Sequence, residues 1–348
     1  MRSPGNLVGR SAPHRPNTIP ARGAGTNSSA RVNSGRFADC ILKGKDGGYF
    51  SDYKLLYLSN TNYLNQVLNV NKTVEAFMAL EFLVVQEQFM TPTAKFADIL
   101  FPVCTFLERN DFTCGGATPY YGLVNKVIEP LGESKSHLEI GIALAEKLGL
   151  TDYNDKTEEE WLRGIVAGFQ EVANVPEYDT LKRQGVHKVR LAEPYVAFKY
   201  QIEDPANNPF PTPSGKIEIY SQQLADMNNP EIPPIPKYIE TWESRNAPLG
   251  QKYPLQLITT HLKRRAHSQF ANLPWLIELQ PQAMLINSAD AQARGINDGD
   301  MVKVFNDRGE MRILAKVTER IMPRVVDVPQ GAWYDPDENG VDWGGCAN

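Results

Sequence analysis

Thr259-Thr-His-Leu-Lys-Arg-Arg-Ala-His-Ser-Gln-Phe-Ala-Asn272 gathers Lys263, Arg264, Arg265, two histidines, two threonines and Ser268 directly behind a short apolar segment, Tyr253-Pro-Leu-Gln-Leu-Ile258. Guanidinium forks, hydroxyls and backbone amides are the donors that bind phosphate oxygens. The apolar segment is opened by a proline and reads as a buried strand. The loop then falls just past a strand end, where rigid scaffolds carry their binding residues. Two readings compete: a solvated basic loop, and a site for one phosphate-bearing ligand.

The elements that must position this loop follow it. Ile286 to Gly295 reads as a short helix, capped by Asn287 or Ser288 and stopped by Gly295. Asn297-Asp-Gly-Asp300 is a tight turn, Met301–Phe305 a strand, Asn306-Asp-Arg-Gly309 a hairpin connection and Met311–Val317 its partner strand. Arg324–Val328 is a third strand. Short, Gly-punctuated strands at this spacing predict a small closed barrel. The end of the chain, Pro329-Gln-Gly-Ala-Trp-Tyr-Asp335 and Trp343-Gly-Gly-Cys-Ala-Asn348, is rich in glycine and aromatic residues.

Taken together, these residues resemble the C-terminal dinucleotide-binding barrel of the molybdopterin oxidoreductases, the dimethyl sulfoxide reductase family. The matching marks are the opening strand, the Arg265-Ala-His-Ser-Gln269 loop, the Asn287-to-Ile296 helix, the Asp298-Gly-Asp300 turn and Gly331-Ala-Trp333. Upstream, Glu87 to Pro102 with Leu107-Glu-Arg-Asn-Asp111 is similar to the family's Thr-x-Thr-Ala-x-x-Ala-Asp-x-x-Leu-Pro segment and its trailing Glu-Arg-x-Asp. Pro213-Ser-Gly-Lys-Ile-Glu-Ile-Tyr220 is similar to the Ser-Gly-Lys-Ile-Glu signature. The resemblance covers Phe37 to Asn348. Within the family, Glu129–Ser136 and Trp333–Gly340 look most like the catalytic subunit of the anaerobic, membrane-associated dimethyl sulfoxide reductases.

Composition is compatible with that resemblance and excludes other classes. The 348 residues suggest about two domains, and 42% apolar content can fill a sizeable core. The net charge of −5, with no dominant basic face, argues against nucleic acid, so the basic loop suits one anionic ligand. No apolar run approaches the roughly 20 residues of a membrane helix. Cys40, Cys104, Cys114 and Cys346 lack C-x-x-C spacing, which leaves free, buried or half-buried thiols as the reading. Residues 1–36 are rich in Arg, Gly, Pro, Ser and Asn with no acidic residue, and are expected to be disordered or unmatched. They have no apolar core of the signal-peptide kind.

From Phe37 to 226 the pattern is α/β. Lys54–Leu58 reads as a buried strand, Asn71–Leu80 as a helix and Phe82–Val85 as a strand, a parallel-sheet, Rossmann-like unit that binds ligands at strand carboxyl ends. Leu138–Leu148 is an amphipathic helix stopped by Gly149, and Thr157-Glu-Glu-Glu160 opens another with a capping pattern. That acidic run is a solvated first turn rather than a metal site. His137 and His187 read as structural, and Trp161 and Trp275 as core anchors. Residues 227–252, dense in proline, form a linker. Residues 253–348 form the barrel, expected to be a six-stranded double-psi type and to be cut short at its end.

The resemblance implies a molybdenum (or tungsten) bis(molybdopterin guanine dinucleotide) cofactor. Arg265, His267, Ser268 and Gln269, aided by Thr259 and Thr260, would donate to phosphate or pterin, and Gly331, Trp333 and Asn348 would close over the pterin. In the α/β part the loop after the first strand reads Asn60-Thr-Asn-Tyr63 where the family usually has Gly-Gly-Asn-Pro; Asn62 is the matching residue. The next strand end, Gln86 to Thr93, is the second cofactor-facing edge and includes Thr91. Asp98 reads equally as a cofactor contact and as an internal partner. The family's iron–sulfur cysteine cluster and metal ligand cannot be placed here, so both are expected in an N-terminal part of a longer subunit. The implied activity is reduction of S-oxides or N-oxides. An iron–sulfur electron-transfer subunit and a membrane anchor would be partners on the periplasmic face. Alternatives are a polysulfide or tetrathionate reductase, a hydratase, or an inert pterin-binding module.

Overall fold

The computed structural model describes residues 32–115, 119–190 and 196–347. The chain divides into two compact units that are not linear in sequence: residues 104–239 form one, while 25–103 and 240–348 together form the other. The split unit carries every residue singled out above as a candidate contact.

That unit begins with α1 (Phe37–Lys43), β1 (Leu55–Ser59), α2 (Val70–Ala79), β2 (Phe82–Glu87) and β3 (Ile99–Pro102). The three strands run parallel in the order β1-β2-β3, with Leu55 opposite Phe82 and Val84 opposite Ile99. Asn69 caps α2 by accepting from the Lys72 amide. Alternation puts Leu58, Leu83 and Val85 on the face that packs against Val70 and Phe77 of α2. β1 is an edge strand in which only Leu58 is fully buried, so the sequence expectation of a buried strand holds for one residue. Edge position explains this: one side of β1 has no strand beside it.

Asp39 of α1 is clasped by Lys72 at 2.6 Å and Lys43 at 2.9 Å. Their ammonium groups, Lys72 first, pull the carboxyl from 3.8 to about 2. A depressed carboxyl contributes stability that is complete above 3.8 and is lost as the pH falls through about 2. Denaturant unfolding measured across this window should show that loss, and Asp39→Asn should flatten it; an unchanged acid limb in the variant would contradict the assignment.

The other unit holds β4 (Asp111–Cys114), β5 (Tyr120–Val124), α3 (His137–Lys147), α4 (Glu158–Ala173), α5 (Tyr178–Gln184) and β6 (Val186–Lys188). β4-β5-β6 is an antiparallel sheet whose Tyr121 and Leu123 pack on Leu162, Val166 and Phe169 of α4. The capping box expected at Thr157 is present with Glu160, and a second one, not singled out from the sequence, joins Ser136 and Glu139 at the start of α3. Gly149 takes the left-handed conformation, with φ +72°, just past α3. Glu108 is buried and ties the stretch together by accepting from the Thr105 and Leu131 amides. Trp161 is half-buried, its indole N–H donating to Asn154. The Pro213–Tyr220 signature forms a turn around Gly215, with Ile217 and Ile219 exposed.

Four short helices, α6 (Lys199–Glu203), α7 (Gln222–Asp226), α8 (Pro248–Lys252) and α9 (Pro274–Leu279), punctuate the rest. The barrel region contains β7 (Gln256–Ile258), β8 (Ala283–Ile286), α10 (Ser288–Gln292), β9 (Met301–Phe305), β10 (Glu310–Val317) and β11 (Val325–Asp327). Among the described residues these form a curled five-stranded sheet, order β7-β11-β8-β10-β9, where six strands were expected. Its inner face packs Met284, Ile286, Met311, Ile313, Ala315 and Val326. β7 is only three residues long and, as an edge, leaves Leu257 and Ile258 exposed. The buried strand expected over 253–258 is corrected accordingly. Trp275 is also exposed at 59%, against the expectation of a core anchor, because α9 offers just six residues and buries none of them. Cys40, Cys104, Cys114 and Cys346 form no disulfide among the described residues, and three of them are buried. No helix among the described residues is long and apolar enough to cross a membrane.

Candidate functional site

A cleft of about 350 Å³ opens between the loop after β7 and the C-terminal segment. Lys95, Arg265, Ala271, Ile277, Gln282 and Trp333 line it, with Ala332, Tyr334, Asp335 and Gly344 completing the wall. Each side is held by a different local device.

The loop is folded by two non-glycine residues in the left-handed region, His267 at φ +53° and Phe270 at φ +70°. Such conformations cost about 1 kcal/mol or more apiece and concentrate at binding sites. Between them Ala266 and Gln269 pair through the Gln269 amide and the Ala266 carbonyl. His261 and His267 meet edge to face at 5.1 Å. The C-terminal segment locks onto this turn. The Trp333 indole N–H donates to the Ser268 carbonyl at 2.8 Å. Gly331, at φ +90°, approaches so closely that a Cβ there would sit 2.0 Å from the His267 carbonyl oxygen.

On its other side the segment is organised by Asp342, a buried carboxylate. It accepts from the amides of Asp335 at 2.8 Å, Gly344 at 3.2 Å and Cys346 at 2.7 Å. Asn65 donates to the Ala332 carbonyl, and Asn62 fixes that amide's orientation by donating to Asn65 Oδ1 at 2.8 Å. Tyr334 and Cys346 then pack into the core built by Leu58, Leu64 and Val85.

The electrostatics are cationic. Lys95 lies 3.4 Å from Asp335, an exposed and therefore weak pair. Arg265 is different. Its Nη1 donates to Gln282 Oε1 at 3.0 Å, and no carboxylate among the described residues pairs with it. Arg265 is half-buried, and that partial burial holds its guanidinium below the ordinary range. A half-buried guanidinium without a carboxylate beside it is a ready partner for an anion. The donor set therefore fits the diphosphate arm of a pterin dinucleotide, with Trp333, Tyr334 and Ile277 offering apolar surface beside it. No group of three or more metal-ligating side chains occurs among the described residues.

The residues singled out from the sequence are distributed unevenly about this cleft. Arg265 and Trp333 line it, and Ser268 and Gly331 shape it through backbone contacts. His267 and Gln269 are exposed on the turn and do not line the cleft. Thr259 is exposed at the end of β7. Thr260 is committed elsewhere: its hydroxyl donates to buried Asp327 at 2.6 Å and its amide to the same carboxylate at 3.1 Å. Asn62 and Thr91 are buried and internally bonded, Asn62 accepting from the Thr93 hydroxyl and Thr91 from the Ala94 amide. Asp98 accepts from the Leu83 amide at 2.7 Å, the internal role left open by the sequence. Leu83 lies near the amino end of β2, so Asp98 is at the edge opposite the strand carboxyl ends. Short polar side chains beside strand ends are readily claimed by nearby backbone groups, which is why these four have protein partners. Asn348 lies outside the described residues. Asn60 adopts φ +50°, the conformation glycine commonly supplies, so asparagine stands in for the loop glycine.

Sequence reasoning missed Lys95, Gln282, Asn65 and Asp342. Lys95 lay in plain view inside the Thr91-to-Pro102 motif; Asn65 acts through a contact 267 residues away, Gln282 through contacts 17 to 63 residues away and Asp342 across a tight turn, which no local spacing encodes.

Comparison with known proteins shows the family. The molydopterin dinucleotide binding domain matches residues 255–348, and the molybdopterin oxidoreductase domain matches residues 26–147. The dimethyl sulfoxide reductase DmsA of Escherichia coli is 44% identical over 303 residues, which is 82% of this chain and 37% of the relative. A dimethyl sulfoxide/trimethylamine N-oxide reductase of Cereibacter sphaeroides is 37% identical, over 82% of this chain and 36% of its own length. Acetylene hydratase from Pelobacter acetylenicus superposes with a TM-score of 0.69 at 22% identity, covering 90% of this chain and 42% of that one. That last likeness concerns the fold alone. The chain belongs to the molybdopterin oxidoreductase family, and it spans less than two fifths of the length of the two curated relatives described.

Proposed function

We propose that this chain forms the cofactor-cradling part of a molybdenum bis(molybdopterin guanine dinucleotide) reductase that acts on S-oxides or N-oxides in anaerobic respiration. The observation that carries the reading is Arg265: a half-buried guanidinium on the wall of a cleft, with no carboxylate partner among the described residues. In this role Arg265 and Lys95 bind the diphosphate, and Trp333 covers one face of the ring system. The turn at His267–Gln269 offers amides and side chains at the rim, while Asp342 and Gln282 keep the wall in place. When bound, the cofactor supplies two-electron oxygen-atom chemistry: an S-oxide, two electrons and two protons give a sulfide and water. The substrate class follows from the names of the relatives, dimethyl sulfoxide and trimethylamine N-oxide reductases. The curled five-stranded sheet is read as the greater part of a six-stranded double-psi barrel.

In the same reading the iron–sulfur cluster and the metal ligand belong to an N-terminal part of the parent polypeptide. An electron-transfer subunit and a membrane anchor complete the assembly on the periplasmic face. The test is direct. Parent protein purified from its native source under anaerobic conditions should contain molybdenum or tungsten and release a pterin guanine dinucleotide on denaturation. Purified parent devoid of both metal and pterin would overturn the proposal.

A further inference from the structure

Gln282 immediately precedes β8 and is half-buried in the cleft wall. Its Nε2 donates to two carbonyls of the C-terminal segment, Pro329 at 2.7 Å and Gly345 at 3.1 Å. A terminal amide has two donors and one acceptor oxygen. With both donors engaged its orientation is set, and the oxygen is left to accept from Arg265 Nη1 at 3.0 Å. The stem is confined too, because a Cβ at Gly345 would already lie 3.0 Å from Gln282 Cγ. A neutral acceptor at this place has a specific consequence: it steers the guanidinium without cancelling its charge, as a carboxylate would.

We infer that Gln282 is a positioning residue of the anion site: its clamped amide aims the Arg265 guanidinium into the cleft and joins that aim to the backbone of the C-terminal segment. This rests on the reading of the cleft as the place of the cofactor's diphosphate. An amide that merely satisfied two carbonyls would, once removed, lower stability and leave the anion affinity of the folded protein unchanged. A positioning amide changes affinity in molecules that remain folded.

Inorganic pyrophosphate is the probe, titrated calorimetrically into the purified 348-residue chain. Near-UV circular dichroism and thermal unfolding confirm that each variant is folded. Arg265→Ala should lose pyrophosphate binding. Gln282→Met, close in size but without polar atoms, should weaken binding by about tenfold, the lower end of what outer partners of a binding group usually contribute. Gln282→Glu should weaken it further, because its carboxylate pairs with Arg265 and repels the probe. If Arg265→Ala abolishes binding while both Gln282 variants keep wild-type affinity, the inference falls and the anion site stands. If Arg265→Ala binds as tightly as wild type, the anion site falls, and the role of Gln282 with it. Should the Gln282 variants not fold, nitrogen-15 spectra of the wild-type chain decide. Hindered rotation of the Arg265 guanidinium before pyrophosphate is added supports the clamp, and free rotation overturns it.

Discussion

Full-length parent protein carrying Arg265→Ala together with His267→Ala is expected to lose its cofactor and keep its fold. Arg265 is the half-buried cation of the cleft, and hydrogen bonds to a charged group contribute about 1.5–3 kcal/mol each. Removing it should therefore weaken retention by about ten- to a hundredfold, since each tenfold is about 1.4 kcal/mol. His267 adds to this from the rim of the turn, where its exposed ring meets His261. The structural penalty is small by comparison. Among the described residues Arg265 makes no ion pair to break, and the left-handed backbone at 267, φ +53°, strains histidine and alanine alike because both carry a Cβ. Molybdenum by mass spectrometry and pterin released on denaturation, both normalised to folded protein, give the answer. Wild-type metal content in the double variant would refute the assignment of this loop to the cofactor.

Gly331→Ala should act through the backbone, with the larger effect on stability. At φ +90° an added methyl group is strained, and its place is already filled by the His267 carbonyl oxygen at 2.0 Å. The obstacle is main chain, not the mobile end of a side chain, so the two segments must separate. Strain and overpacking together should cost about 3 kcal/mol or more. The same movement carries away the Ser268 carbonyl from the Trp333 indole, so the cleft should open as well. Gly340→Ala is the control, because it shares the positive φ, +78°, but faces open space. It should lose only about 1 kcal/mol in denaturant unfolding. Equal losses in the two variants would show that conformation alone, and not the close approach, makes glycine necessary at 331.

Much of the local architecture could be read directly from residue order. The capping box at Thr157 was visible as Thr followed three residues later by Glu. The Asn306–Gly309 connection foretold the antiparallel pairing of β9 and β10, with Phe305 opposite Glu310. The parallel unit of β1, α2 and β2 followed from apolar runs separated by a helical period. Burial was harder to read. Leu255 to Ile258 and Lys54 to Leu58 are apolar enough for a sheet interior, yet each lies in an edge strand, and strand order is not written in a strand's own composition.

The sequence by itself placed a basic, hydroxyl-rich loop directly after a strand, put Gly331 and Trp333 among the candidate contacts, and indicated which family the chain resembles. Those are properties of residue type and short spacing: guanidinium charge, hydroxyl and amide side chains, and glycine at a turn. Tertiary structure alone decided which of the polar candidates line the cleft. It consumed Asn62, Thr91, Asp98 and Thr260 in bonds to neighbouring protein groups, and it brought Lys95, Gln282 and Trp333 around Arg265. The reason is that a short polar side chain is satisfied by the first good partner within about 3 Å. Which partner that is depends on segments such as 62–65 and 332–346, far apart in the chain, being folded against one core.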